Sequence, residues 1–411
     1  MSVRVWAGCV ALAVGLFAAS AAGAQRAAAA PEFRRGIGLA HVLGWAPTER
    51  SGAVQFAYPP FADRVLADTE LGTLRRSGFD FVRLAVDPGP FLQFGGAQRD
   101  ELDRLLADRV RQILAADLSV IVDFHPGDLN ARYDGKALAR GAETPVFRDY
   151  LRLLTRTATL LGRLRSTRVA LEIFNEPPVG AETWQPMLEA SYTAVRRGAR
   201  DIAIVLDGGD EGMADAMMKI ETRVFDNDPA VLFTFHYYAP YQFTHQGASW
   251  NDARHLADVP YPAGAHAIAD SIAASNDGIN ASEMTQPQKL LALLDTRRRL
   301  EAYRLSGFDR RAIARDFDRI AAWAAARGIS GSRILLGEFG VMTTPRGPRA
   351  SEREQWFRDV REEAEARGFG WAAWVYRNDG FGLTATPESD ELEPAIVRAL
   401  GLAAAPAQRR K

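Results

Sequence analysis

The chain has 411 residues, 47% of them hydrophobic, and its 50 basic residues against 51 acidic ones leave a formal charge of −1. That balance supplies no field to draw in a nucleic-acid backbone and suits neutral substrates. A single cysteine, Cys9, excludes a disulfide framework and a thiolate metal site.

Residues 1–24 read as a secretory signal, with Arg4 before an apolar stretch from Val5 to Ala19 and small residues at Ala22-Gly23-Ala24. The apolar run is short for a bilayer span, so no stable membrane anchor is expected. Cleavage near Ala24 removes Cys9 and exports the protein to the periplasm or the medium. A single catalytic domain is expected over residues 31–403, with 404–411 as a disordered tail.

Short apolar, β-branched and aromatic runs then alternate with amphipathic segments, the pattern of strand-helix units around a parallel sheet. Predicted strands cover Gly36–Gly44, Phe79–Asp87, Leu118–Pro126, Val169–Pro177, Asp201–Gly209, Val231–Pro240, Arg333–Val341 and Gly370–Asp379. Predicted helices cover Phe61–Ser77, Arg99–Ala115, Thr144–Arg165, Glu182–Arg197, Glu211–Lys219, Asp309–Arg327, Ser351–Arg367 and Glu391–Leu400. Eight such pairs predict an α/β fold, a (β/α)8 TIM barrel. An open doubly wound sheet is disfavoured because Gly44-Trp45-Ala46-Pro47 after the first strand is no dinucleotide-binding turn.

One connection breaks the repeat. Residues 241–308 after the sixth strand hold Tyr241-Gln242-Phe243-Thr244-His245, Ser249-Trp250-Asn251 and a predicted helix, Pro287–Leu305. A long insertion leaving the C-terminal face of a barrel is expected to form part of the cleft wall.

Polar residues collect where the strands should end: Arg83, His125, Asn175 with Glu176, His236 with Tyr238, Glu338, and Trp374. Strand alternation predicts His236 and Tyr238 on one face, and Glu172, Phe174 and Glu176 on one face. Singly, each has an ordinary explanation, Arg83 as an ion-pair residue and Trp374 as packing. Burying them together is costly unless they pair or work. Glycoside hydrolysis needs one carboxyl that gives a proton to the leaving oxygen and another that stays ionised. Glu176 and Glu338, on the fourth and seventh strands, can face each other across a sugar ring. The residues alone leave retaining and inverting chemistry open, since that depends on a carboxyl separation of about 5 Å or about 6.5–9.5 Å.

The ordered set Ile173-Phe174-Asn175-Glu176-Pro177, His236-Tyr237-Tyr238, Leu336-Gly337-Glu338-Phe339-Gly340 and the Trp371–Trp374 strand resembles the cellulase-like glycoside hydrolases of family 5. The resemblance spans nearly the whole mature chain. It implies a retaining mechanism with Glu176 as acid/base and Glu338 as nucleophile. It places Arg83 and Tyr238 beside the nucleophile, Asn175 at the sugar 2-hydroxyl, His125 and His236 around the centre, and Trp374 beneath the sugar at the cleavage point. Two stretches depart from the family pattern, His41-Val42-Leu43-Gly44-Trp45 and Val375-Tyr376-Arg377-Asn378-Asp379.

The expected function is therefore an exported endo-β-1,4-glucanase acting as a monomer on polysaccharide or oligosaccharide, with no cofactor, no metal and no nucleic-acid partner. Trp45, Trp250 and Trp374 are candidate sugar platforms, whereas Trp184, Trp323 and Trp356 lie in helical patterns and read as core. A mannanase or a β-1,3-glucanase is the alternative within the class. A carbohydrate-binding barrel without catalysis is disfavoured because both acids are present. A metal hydrolase built on His41, His125 and His236 lacks the paired His-x-His and any HExxH. His245, His255 and His266 read as solvated loop residues.

Overall fold

Eight parallel strands close into a barrel in sequence order, with the first paired to the last. They are β1 (Arg35–Leu43), β2 (Phe81–Val86), β3 (Ser119–Phe124), β4 (Val169–Glu172), β5 (Ala203–Asp207), β6 (Val231–His236), β7 (Ile334–Phe339) and β8 (Gly370–Ala373). This computed structural model describes residues 33–49, 55–377, 380–386 and 388–403. The expected signal at 1–24, the tail at 404–411, and Asn378 and Asp379 of the eighth predicted segment lie outside the described residues.

Helices cover the barrel as the apolar periodicity predicts, and local chemistry sets several of their starts. Thr144 accepts a hydrogen bond from the Phe147 amide ahead of Pro145, so the helix Pro145–Gly162 begins with an N-cap and a proline whose missing N–H costs nothing there. Trp184, Trp323 and Trp356 are all buried between helices and sheet. The predicted Phe61–Ser77 helix shortens to Asp68–Ser77, and Glu211–Lys219 to Ala214–Met217. Besides the single turn Tyr241–Thr244, the insertion carries two longer helices, Ile268–Ala281 and Gln286–Ser306, the first of which was not predicted because its Ser, Asn, Asp and Gly content masks the period.

The barrel interior is layered. Phe81, Ile121, Ala170, Leu232, Leu335 and Ala372 fill its lower part with Phe33, and Gly36 leaves room for the Phe81 ring, which a Cβ would meet at 2.2 Å. One inward step up the strands, the plug becomes charged: Arg83, Asp123 and Glu172 are fully buried, and Asp123 and Glu172 are register partners on β3 and β4. An apolar base beneath a polar layer gives the site a rigid, water-poor floor.

All eight strands end short of their predicted limits, and β4, β6 and β8 fall short by the most. Regular pairing in β4 stops at Glu172, although the Asn175 amide still donates to the Phe124 carbonyl at 2.8 Å. The expected alternation fails at this point. Phe174 faces outward against Tyr150 and Trp184, away from the inward Glu172, and Glu176 reaches the cleft through a left-handed backbone, φ 48°. β6 and β8 likewise give way to irregular backbone before Tyr238 and Trp374.

Both departures from the family pattern fall in one ion-pair cluster beside the mouth. Glu70 lies 3.3 Å from His41 Nε2 and 3.2 Å from Arg377, and Arg377 reaches Asp390 at 2.8 Å. Glu70 also accepts from the Ala67 amide, closing the start of Asp68–Ser77. The unusual Arg377 thus ties the β8 loop to the first helix. Replacing the buried Glu70 by Ala takes one of the two carboxylates from Arg377 and the acceptor from His41 and the Ala67 amide, and is expected to cost about 1–3 kcal/mol of stability by urea denaturation; an unchanged midpoint contradicts this role.

Candidate active site

Arg83 organises the site. Its guanidinium donates to both oxygens of Glu172 at 2.7 and 2.6 Å, to Glu338 Oε1 at 2.7 Å and to Asn175 Oδ1 at 2.8 Å, and lies 3.2 Å from Asp123. One cation therefore serves three carboxylates, which hold its charge firmly despite full burial.

Glu338 projects from β7, and its second oxygen accepts from the Tyr238 hydroxyl at 2.8 Å. Glu176 is placed differently. Its Oε1 lies 2.7 Å from His236 Nδ1, its backbone amide donates to Asp207 Oδ2 at 2.8 Å, and among the described residues no guanidinium bonds to it. Its side chain is 35% exposed to the cleft yet ringed by protein. That burial pushes its carboxyl up to about 7, against the opposing pull of His125 and Arg83. His236, buried beside it, is pushed down to about 4 and is neutral at neutral pH. A protonated Glu176 can then donate to Nδ1.

Above β3, His125 Nδ1 donates to Asp123 at 2.9 Å and Asn175 Nδ2 lies 3.3 Å from Nε2, an arrangement that fixes the tautomer and links His125 to the Arg83 layer. His125 stacks nearly parallel on Trp374 at 5.4 Å, with Trp45 tilted against it at 4.9 Å. Those three rings form an aromatic floor on the β1, β3 and β8 side. On the β5 and β6 side lies a cavity of about 880 Å³, lined by Glu176, Glu211, Met213, Tyr241, Trp250 and other groups.

The structure thus brings Arg83, His125, Asn175, Glu176, His236, Tyr238, Glu338, Trp374 and Trp45 to one mouth, with Trp250 farther out on the insertion. His41 stays outside, paired with Glu70, so the three-histidine metal site does not form. Nor are the insertion histidines all solvated: His245 packs buried between Tyr241 and Tyr238, and His266 pairs with Glu352 at 3.0 Å. Two sets of donors do lie within 4.8 Å of one another, Glu172 with Asp207 and His236, and Glu176 with His236 and Glu338. Both oxygens of Glu172 and of Glu338 are already taken by Arg83 or Tyr238, so these sets form a hydrogen-bonded acid network and not a cation cage. The sequence reading missed Asp123 and Asp207 and gave Glu172 no task. Their signal was an acid within an apolar strand, repeated on β3, β4 and β5.

A closed (β/α)8 barrel bearing two facing carboxyls, one held by cation and phenol and the other left to titrate, has the architecture of a glycoside hydrolase. The model of the cellulase family, glycosyl hydrolase family 5, matches residues 53–380. The chain belongs to that family. It is 23% identical over 358 residues to Endoglucanase 3 of Fibrobacter succinogenes, covering 82% of this chain and 49% of that protein, so it spans about half the length of that relative. Among solved structures it resembles the cellulose synthase subunit Z of Clostridioides difficile, at TM-score 0.63 and 20% identity over 90% of this chain and 99% of that one. Thermotoga maritima Cel5A, solved in complex with cellobiose, gives 0.63 and 20% over 90% and 97%. A family 5 xyloglucanase from Paenibacillus pabuli gives 0.64 and 14% over 90% and 98%. At these identities the likeness to the solved structures is one of fold.

Proposed function

We propose that this glycoside hydrolase is an exported, retaining endo-β-1,4-glucanase with Glu176 as acid/base and Glu338 as nucleophile. The observation that carries the reading is the closeness of the two carboxyls: an oxygen of each lies within 4.8 Å of the other. An approach that close favours the short spacing of double displacement, about 5 Å, over the wider one that leaves room for a water. Glu338 attacks the anomeric carbon and forms a glycosyl ester while Glu176 passes its proton to the departing oxygen. Glu176, now ionised, takes a proton from the water that cleaves the ester, and returns to its starting state. Arg83 and Tyr238 donate to Glu338 and hold it in place for attack, Asn175 serves the sugar 2-hydroxyl, and Trp374 offers a face to the ring.

Because the acid must reach the leaving oxygen, the cavity that includes Glu176 takes the leaving-group sugars, and the insertion supplies its wall through Tyr241 and Trp250. Trp250→Ala is expected to raise KM for a soluble glucan roughly fivefold while sparing a short aryl glycoside; equal effects on both substrates oppose a wall role. The β-1,4-glucan preference is drawn from the relatives, an endoglucanase and a cellobiose complex. Product analysis on soluble β-glucans, mannan, xylan and xyloglucan, with the anomer followed by NMR, tests substrate and mechanism together. Initial release of the inverted anomer overturns the retaining assignment, and preference for mannan overturns the substrate.

The acid's position also sets a pH dependence. Glu176 must carry its proton in the first step and is pushed up to about 7, so kcat/KM is expected to fall tenfold per pH unit above about 7. A profile flat to pH 9 opposes Glu176 as the acid. Export through residues 1–24 predicts a mature N-terminus just after Ala24 in the periplasm or medium, and a full-length cytoplasmic product contradicts it. Light scattering is expected to give the monomer mass; a dimer mass contradicts that assignment. Among the described residues no helix is long and apolar enough to cross a membrane.

A further inference from the structure

Asp207 stands at the end of β5, fully buried, with its side chain turned into the barrel. Oδ2 accepts from the Glu176 amide at 2.8 Å, while Oδ1 has no partner among the described residues. The amide it holds belongs to a residue in the left-handed region, where a non-glycine side chain sits only if its surroundings fix it. Those surroundings are legible. The Asp210 and Glu211 amides donate to the carbonyls of Val179 and Pro177, clamping the chain just beyond Glu176, and Gly212 packs where a Cβ would lie 3.2 Å from both Glu176 Cγ and His236 Nδ1. Asp207 is the anchor on the inner side of that turn.

The charge state of Asp207 follows from its neighbours. The groups facing it are Glu172 on β4, His236 on β6 and Glu176 above, with Arg83 on β2 behind Glu172. Arg83 is engaged by Glu172, Glu338, Asn175 and Asp123 and donates nothing to Asp207. An ionised Asp207 would be a further buried anion beside Glu172 with no cation of its own, an arrangement a protein avoids by leaving the proton on. A proton on Oδ1 also gives that unpartnered atom something to donate, with the Glu172 carboxylate in the same group of close neighbours. Burial and the Glu172 charge both push the Asp207 carboxyl upward, which agrees.

We propose that Asp207 is a positioning residue for the acid/base: as a neutral carboxyl it fastens the Glu176 amide and so aims the Glu176 side chain at the leaving oxygen, contributing a hydrogen bond and no charge. The idea rests on the assignment of Glu176 as the acid. A misaimed acid matters only when the leaving group needs a proton, so the signature is a dependence on the leaving group.

The test compares a soluble β-1,4-glucan with 2,4-dinitrophenyl β-cellobioside, whose leaving group departs unprotonated. Asp207→Ala is expected to lose about 100-fold in kcat/KM on glucan and less than about threefold on the dinitrophenyl substrate. Asp207→Asn retains a neutral acceptor for the amide. It is expected to stay within about threefold of the unmodified enzyme on both, with the alkaline limb of its pH profile unmoved. Equal losses on the two substrates in Asp207→Ala overturn the proposal, as does a displaced alkaline limb or a tenfold loss in Asp207→Asn. Should Asp207→Ala show no cooperative melt, Asp207→Asn alone decides. Glu176→Ala, run alongside, must show the same split between substrates. If it does not, the acid assignment has failed, and if it does while Asp207→Ala does not, the inference about Asp207 has.

Discussion

Glu338→Gln is expected to lower kcat on soluble glucan by about 10⁴-fold or more while leaving oligosaccharide binding within a few-fold of the unmodified enzyme. The substitution conserves shape, and the amide oxygen can still accept from Arg83 or Tyr238, which now hold the carboxylate at 2.7 and 2.8 Å. What it removes is the negative charge that attacks the anomeric carbon in the proposed mechanism. Steady-state assays with reducing-end detection, paired with calorimetric titration of cellotetraose, separate turnover from binding. Residual activity within tenfold of normal means that Glu338 is not the nucleophile. A complementary result is expected from Glu338→Ala with azide, which should release an α-glycosyl azide because the small anion enters from the vacated nucleophile face.

Arg83→Ala is expected to have the largest effect on stability, about 3–5 kcal/mol at pH 7, together with loss of activity. The guanidinium is wholly buried and bonded to Glu172, Glu338 and Asn175, so its removal strands several acids in a dry layer. Arg83→Lys is not expected to rescue, because a single ammonium cannot reproduce the fork that engages both Glu172 oxygens. The pH dependence gives a second check. Even with Arg83 present, burial raises the Glu172 and Asp123 carboxyls, Asp123 to about 7, and removing the cation raises them further. In the variant these groups bind protons in the folded state that the unfolded chain releases at neutral pH, so its stability deficit should shrink as pH falls from 7 towards 5. Urea melts at both pH values measure this; a deficit that is small, or independent of pH, removes Arg83 from its central place.

The two predictions probe different strata of one design. Glu338 works at the surface of the charged layer, and Arg83 lies within it. The ion pair between Arg83 and Glu172 ties β2 to β4, while Arg83 and Glu338 tie β2 to β7, so the cation also fixes the spacing across the mouth. A barrel whose acids are held this way needs little reorganisation when charge develops on the sugar.

The amino-acid sequence by itself determined the barrel, because alternating β and α periods in a chain of this size leave few other closed solutions, and it determined the two carboxyls, because an acid ending an apolar strand is conspicuous. It also disclosed most of the mouth: Arg83, His125, Asn175, His236, Tyr238, Trp45 and Trp374 all meet there. Only the tertiary structure decided how those groups divide their work. Strand periodicity extended β4 through Glu176, whereas the chain leaves regular pairing after Glu172 and turns left-handed at Glu176, a conformation held by Asp207 from the neighbouring strand. No local pattern encodes a restraint that comes from 31 residues away. The same holds for the charge layer. Asp123, Glu172 and Asp207 look alike in sequence as single acids in apolar strands, yet closure of the barrel gives Glu172 the arginine, gives Asp123 the His125 ring, and leaves Asp207 with the Glu176 amide. Burial and hydrogen-bond partners are properties of the closed barrel, and they give three acids that look alike in sequence three different surroundings.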